Sequence, residues 1–425
     1  MAPGGAGAAI GRVGVAVVGA GAAGLATAIF LRRDNPRVDV TVLDGAAKPG
    51  AKILISGGGR CNVTNTVVRD TDFWGGKRTI VRHVLNGFRV PETVAFFDSL
   101  GIALHEEPDG KLFPDSNRAR DVLNALLRAA SETGVQLSTG TRVSGVERRD
   151  DGFAVHTAAG PIAARAVVLA TGGRSLPKTG SDGAGYDIAR ALGHTIVPQT
   201  PALAPLVLAA ADDRAVHARL SGVSVEAEIS VWVDGAVFTR VSGALLWTHF
   251  GVSGPAALNV SRHWARARAA GRDVRLTLNW SPGQSFEGID AWLLAEAERR
   301  PRASVRGVLA SVLPDAAARA ILDALAIPIE STTGALNRDD RRRLVHALTA
   351  WPLPVVDTRG YNFAEVTAGG VDLAEVDPRS MESRVCPRLF LVGEILDVDG
   401  RIGGFNFQWA WASARAAARA LARSA

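Results

Sequence analysis

The stretch from Val13 to Asp44 constrains the fold more than any other part of the chain. It opens on Val13-Gly14-Val15-Ala16-Val17-Val18, a β-branched run of strand length. Gly19-Ala20-Gly21-Ala22-Ala23-Gly24 follows at once, then the helix-like LATAIFLRRD. A second strand-like run, Val38 to Leu43, ends in Asp44, twenty residues past Gly24. Glycines at this spacing are a weak signal alone, but strand, glycines, helix, strand and terminal carboxylate in this order specify a βαβ dinucleotide-binding unit. Gly19 permits the tight turn, Gly21 lets a pyrophosphate approach the backbone, and Gly24 lets the helix pack on the strand. Ala22 and Ala23 open a helix whose positive end faces the phosphates. Asp44 is placed to accept hydrogen bonds from the adenosine ribose and would repel a 2'-phosphate.

Val13 to Leu31 also holds no charged residue, which is long enough to be read as a membrane span. The glycines divide it into a buried strand and a buried helix instead, and no membrane attachment is expected. The preceding MAPGGAGAAIGR has one Arg and lacks the basic region of a signal peptide. The Gly/Ala-rich first eleven residues are expected to be disordered.

A chain of 425 residues exceeds what one core serves, so two or three domains are expected. The two cysteines, Cys61 and Cys386, make no disulfide framework, and the eight His show no metal-ligand spacing. This reads as a reducing, cytoplasmic setting with no metal. The net charge is +6, yet the basic residues are interspersed with acids. The densest run, Asp339 to Arg343, reads as a solvated helix face, which argues against a nucleic-acid partner.

A helical stretch around Arg118 to Gly134 precedes short strands separated by Asp150-Asp151-Gly152 and Ala159-Gly160-Pro161. These end in a buried strand that runs into Thr171-Gly172-Gly173. Residues 200 to 279 are strand-like, including Val223 to Val233 and Val274 to Leu278, and 285 to 350 have helical periodicity. Gly183-Ala184-Gly185-Tyr186 lacks a preceding β run and reads as a loop before a helix from Asp187 to Leu192. Arg388 to Val392 then gives a late strand ending in Gly393-Glu394, followed by a glycine-bearing loop and a helix from Gln408 to Ala422. The expected fold is α/β: a Rossmann-like domain, whose meander and following strand resemble FAD-binding domains of the glutathione-reductase type, interrupted by a β-barrel-like domain and a small helical domain. The expected boundaries are 1–197 and 353–425 for the FAD domain, 198–284 for the β domain and 285–352 for the helical one.

The motifs GAGAAG, SGGGRCNVTN, ATGG with SLPKTGSDGAGYDIARALGH, THFGVSGPAALNVSR, VTAGGV and GEILDVDGRIGGFNFQWAWASA extend from Val13 to about Ala418. Together they resemble the BaiN-like, or aminoacetone-oxidase-like, family of FAD flavoproteins. That resemblance implies FAD as cofactor. It implies amine oxidation or reduction of conjugated double bonds as chemistry. The meander and the late strand resemble those of FAD-binding domains of the glutathione-reductase type, which implies that Val143 touches the adenine and that Glu394 after Gly393 reaches the ribitol, one methylene longer than the Asp usual in that class.

SGGGRCNVTN, Ser56 to Asn65, fits three readings on its own: an N-glycosylation acceptor, a reactive thiol, or a phosphate loop. Lying twelve residues past Asp44, it reads best as the cofactor loop. Ser56 and Gly57 to Gly59 let backbone approach the pyrophosphate, and Lys52 and Arg60 are read as counter-charges for phosphate. Cys61 becomes a neighbour of the flavin, with Asn62 and Thr64 as donors to it. Before the last helix, the backbone of Gly404 and Phe405 and the side chain of Asn406 are candidates to stabilise charge at flavin N1 and O2. His249 is the one His within a family motif, read either as a general acid–base or as a structural contact.

The expected function is an FAD-dependent oxidoreductase that moves hydride between a small organic substrate and flavin N5. No second strand-GxGxxG-helix unit is present, so NAD(P)H enters as a transient electron donor, or oxygen serves as acceptor. The competing readings are an FAD-containing nucleic-acid-modifying protein and a non-catalytic flavin binder. The helical insert is a candidate homodimer contact.

Overall fold

In the computed structural model, which describes residues 11–209 and 216–424, the chain forms two compact units. Unit 1 comprises residues up to Gln199 and from Glu365 onward; unit 2 spans Thr200–Ala364. The expectation for the extreme N-terminus lies, except at Gly11, outside the described residues.

In unit 1, β1 (Arg12–Val18) leads through the glycines into α1 (Ala22–Asp34) and on to β2 (Val40–Leu43). Val15 to Val18 are all buried, as a parallel strand covered on both faces requires. α1 is buried nearly all round from Ala23 to Leu31, which accounts for its charge-free sequence without a membrane. Among the described residues no helix is long and apolar enough to cross one. α2 (Ala51–Gly59) follows, and then, past helices Arg78–Gly87, Val90–Ser99 and Ala119–Glu132, β3 (Gln136–Ser138), β4 (Val143–Arg149), β5 (Gly152–Thr157) and β6 (Gly160–Leu169).

The parallel order is β3-β2-β1-β6, with strand Leu389–Leu391 beside β6. β6 serves two sheets' worth of partners on one edge: Gly160–Ala164 pair antiparallel with β5, and Val167–Leu169 pair parallel with Leu389–Leu391. β4, β5 and the first half of β6 are the expected meander. The parallel half places the ends of β1, β6 and Leu389–Leu391 side by side, which brings distant glycine-rich turns to one edge.

The helix expected from Asp187 starts earlier, at Ala184, and includes Gly185, where a Cβ would lie 1.9 Å from Thr171 Oγ1. Small size at that point reflects packing against the 170–173 loop rather than a turn. The C-terminal helix is also longer than its periodicity suggests, Phe405–Ser424, because Phe405 is buried as part of its first turn.

Unit 2 has a seven-stranded antiparallel sheet whose centre is the hairpin Ser224–Val233 and Ala236–Thr248, flanked by Val274–Asn279. Helix Gly254–Ala269 covers it. Trp247 and Trp280 stack at 5.5 Å in a core that continues into Leu293 and Leu344 of helices Phe286–Arg299 and Arg338–Thr349. The strand-rich and helix-rich parts thus share one apolar core.

Candidate functional site

The turn after β1 shows a distinct steric reason for each glycine. A Cβ on Gly19 would lie 2.5 Å from the Ala170 carbonyl oxygen, and one on Gly24 only 1.9 Å from that of Gly19. A Cβ on Gly21 would meet nothing within 4 Å. Gly19 and Gly24 therefore close the strand-turn-helix joint, whereas Gly21 leaves clear space in front of α1, whose first turn no side chain caps. Free N–H groups and the positive end of the helix dipole face that space, the arrangement that suits a pyrophosphate. Asp44 stands beside it: one carboxylate oxygen accepts from the Ala20 N–H at 2.7 Å and the other from Ala46 at 2.8 Å. Each oxygen keeps a lone pair for a ribose hydroxyl.

α2 is helical only to Ile55. From Ser56, with ψ at 148°, the chain leaves the helix and passes through Gly57, Gly58 and Gly59 at φ 55°, 68° and 85°. Three successive left-handed residues are affordable only as glycines. Cys61 is fully buried, and burial pushes its thiol up to about 12, with a hydrogen bond to Ser56 pulling the other way. That removes the reactive-thiol reading. Asn62 is buried as well: with its amide nitrogen on the carbonyls of Leu112 and Thr64 (3.2 and 2.8 Å), its oxygen accepts from the Gly404 N–H at 3.2 Å. A glycosyl acceptor must be exposed, so this reading falls too.

Lys52 and Arg60, read as counter-charges for phosphate, are each already paired. Lys52 Nζ donates to Glu394 Oε2 at 2.5 Å and to Ser175 Oγ at 2.6 Å. Arg60 is ion-paired with Glu107 and lies 4.1 Å over the Phe113 ring. That pairing holds the Glu107 carboxyl below its usual range, with His105 adding to the effect.

Glu394 is a junction. Its Oε1 accepts from the Thr367 N–H and from Ser175 Oγ, both at 2.9 Å, while Oε2 takes Lys52. The carboxylate expected on the ribitol thus ties together α2, the loop after β6 and strand Val366–Val371. Gly173 fits against it, since a Cβ there would lie 2.5 Å from Thr367 Oγ1 and 2.8 Å from Glu394 Oε1. Gly172 packs equally close to Ser181, Thr171 packs on Gly185, and Gly393 faces Ala23 of α1, where a Cβ would come within 2.8 Å. Sequence reasoning missed Ser175, Thr367 and Glu365. Crowding by protein pushes the Glu365 carboxyl up, Lys52 opposes this and Glu394 adds to it.

The loop before the last helix is closed by Asn406 itself. Its Oδ1 accepts from the Gly400 N–H at 2.8 Å and its Nδ2 donates to the Gly400 carbonyl at 2.9 Å. The amide read as a donor to flavin is occupied at both ends, because it clamps the turn that aims the backbone of Gly403 and Gly404. Gly404 sits against Thr64, whose backbone a Cβ would strike at 2.4 Å. Phe405 is core, edge-on to Phe73. Thr64 and Thr93 both donate to Gln408 Oε1, and Gln408 Nε2 donates to the Phe88 carbonyl, so this glutamine is a buried tie. Beside this loop a cleft of about 340 Å³ is lined by Asn65, Arg69, Asp72, Glu106, Asp109 and Arg401. Val143 is buried at the start of β4. His249 lies in unit 2, exposed in the turn between Ala236–Thr248 and Gly251–Ser253.

The HI0933-like protein Rossmann domain family matches residues 13–420. The chain belongs to this family. It is 32% identical over 408 residues to a 3-dehydro-bile acid delta(4,6)-reductase of Clostridium scindens, covering 96% of this chain and 98% of the relative. It is 33% identical over 410 residues to a ribosomal RNA dihydrouridine synthase of Escherichia coli, again covering 96% and 98%. Among solved structures, Sdh1 of Mycobacterium smegmatis superposes with a TM-score of 0.51 at 16% identity, over 97% of this chain and 68% of that one. The fold is therefore that of FAD-binding Rossmann flavoenzymes, and this HI0933-like protein is an FAD-dependent oxidoreductase. The open space at Gly21, the uncapped α1 and the Asp44 carboxylate fit the diphosphate and ribose of that cofactor.

Proposed function

We propose that this HI0933-like protein reduces a carbon–carbon double bond conjugated to a carbonyl. The observation that carries the reading is the end-to-end similarity to two relatives whose names describe that one chemical step on different molecules, a bile acid and a uracil ring. FAD, when bound, supplies a hydride from N5 of its reduced ring. The protein's own part is positional. The α1 N-terminus and Asp44 hold the adenosine diphosphate end, and the 56–62 loop makes its left-handed turns at glycines and is tied down by Asn62. The Asn406 clamp presents the backbone N–H of Gly403, while that of Gly404 is taken by the Asn62 side chain. Glu365, whose carboxyl is pushed up by desolvation, is the candidate to give a proton to the carbon that the hydride leaves electron-rich. Unit 1 has one dinucleotide-binding βαβ unit among its described residues, so the reading takes NAD(P)H as a transient reductant, in a cytoplasmic setting.

A small enone is the first substrate class. Uracil within ribosomal RNA is the second, favoured by the names of two relatives, 33% and 30% identical. The test is anaerobic. NADH or NADPH is added to the yellow protein, loss of the band at about 450 nm is recorded, and then a conjugated enone, uridine 5'-monophosphate or ribosomal RNA is mixed in. Return of the band with product two mass units heavier supports the reading and selects the substrate. Reoxidation by oxygen alone, with no product from any of the three, would overturn it.

A further inference from the structure

Among its described residues, unit 2 carries a cation with no acid to meet it. Strand Leu206–Leu208 pairs on one side with Gly251–Ser253 and on the other with Val355–Thr358. The residues adjoining those partners, Phe250 and Arg359, are thus anchored to the same short strand. The Leu208 N–H donates to the Phe250 carbonyl at 3.0 Å, and the Arg359 N–H to that of Pro205 at 2.9 Å. From there the Arg359 guanidinium lies against two phenyl rings, 4.6 Å from the centre of Phe250 and 3.6 Å from that of Phe363. Phe363, held in a tight turn by its N–H to the Gly360 carbonyl, is still 47% exposed. His249 sets its ring edge-on to Phe250 at 5.2 Å.

Among the described residues no carboxylate and no hydrogen-bond acceptor engages that guanidinium. Contrast Arg60, which combines a similar ring contact at 4.1 Å with an ion pair to Glu107. A guanidinium packed on rings has given up most of its rotamer freedom before any ligand arrives, while its N–H donors remain unspent in its plane. Such a fixed fork matches the two oxygens of a carboxylate or phosphate. A purely packing role would use the side chain's carbon stem and would leave the head indifferent to anions.

We propose that Arg359, seated on Phe250 and Phe363 with His249 alongside, is an oxyanion-binding site that takes the carboxylate or phosphate of a ligand. It does not depend on the double-bond chemistry and is tested without turnover. Binding of acetate, inorganic phosphate, uridine 5'-monophosphate and a short uridine-containing RNA is measured by calorimetry on the FAD-loaded full-length protein at low salt. Arg359→Met is expected to weaken the anion that binds best by about tenfold or more, and Arg359→Lys, which keeps charge without the fork, by about threefold. Arg275→Met, an exposed arginine of the same unit paired with Asp273, controls for net charge and is expected to bind like the parent. Loss of acetate and phosphate binding together identifies a small anionic ligand, and loss confined to the RNA identifies strand phosphate. If Arg359→Met fails to fold, the Lys variant carries the comparison. The proposal is overturned if none of the four binds the parent protein, or if the Arg359 variants bind no more weakly than Arg275→Met.

Discussion

At the scale of single residues, neighbouring glycines of one motif are separable by what surrounds them. Gly24→Ala puts a methyl group 1.9 Å from a backbone oxygen that cannot move without opening the β1–α1 joint. It is expected to cost about 3 kcal/mol, read as a lower melting temperature of the apoprotein. Gly21→Ala meets no protein atom and has a φ of −82° that alanine accepts, so apoprotein stability should stay near the parent while FAD affinity falls. A Gly21→Ala protein that binds FAD normally would mean that the space in front of α1 does not hold the diphosphate. Cys61 gives a prediction with a definite sign. Its folded value of about 12 lies above the ordinary 9.0, so above pH 9 the unfolded chain loses a proton that the native protein keeps. Stability should therefore decline through this group by about 1.4 kcal/mol per pH unit between roughly pH 9 and 12. Cys61→Ala should flatten the alkaline slope of the urea midpoint relative to the parent, and parallel slopes would show that the thiol is not buried.

Among elements, what the sequence made legible was whatever has a local cause. The βαβ unit, the meander and the late strand follow from period, turn residues and the glycines between them, and each is found within a few residues of its expected place. The site was legible as a set of loops but not as a set of bonds. Nothing near Lys52 in the chain announces Glu394, 342 positions away, or Ser175 between them, because parallel pairing of β6 with Leu389–Leu391 is what brings them together. Asn406 misled for the opposite reason: its partner Gly400 is six residues away, and a local clamp and a cofactor donor look alike in sequence. The Lys52–Glu394 pair has side chains 26% and 17% exposed, so removing one partner leaves a largely desolvated charge. Lys52→Met is expected to cost about 2 kcal/mol in urea unfolding. A cycle with Glu394→Gln should return a coupling above about 1 kcal/mol. Additive effects would show that the junction does not act as a unit.

For the whole molecule, the division into two units predicts where cofactor binding is felt. Every residue assigned to the diphosphate, ribose and flavin-facing loops belongs to unit 1, whereas unit 2 has its own apolar core around Trp247, Trp280 and Leu344. A ligand that binds only the folded form of a unit stabilises it by mass action, about 2.7 kcal/mol at a hundredfold excess over Kd. Hydrogen exchange followed while FAD is titrated into apoprotein should therefore slow most at residues 19–24, 56–62, 170–175 and 393–406. The amides of the hairpin Ser224–Val233 and Ala236–Thr248 should change least, since their exchange is governed by opening of a core that the assigned residues do not enter. Uniform slowing across both regions would contradict the assignment. It would require either that unit 2 supplies contacts to the cofactor or that its core opens only when unit 1 does.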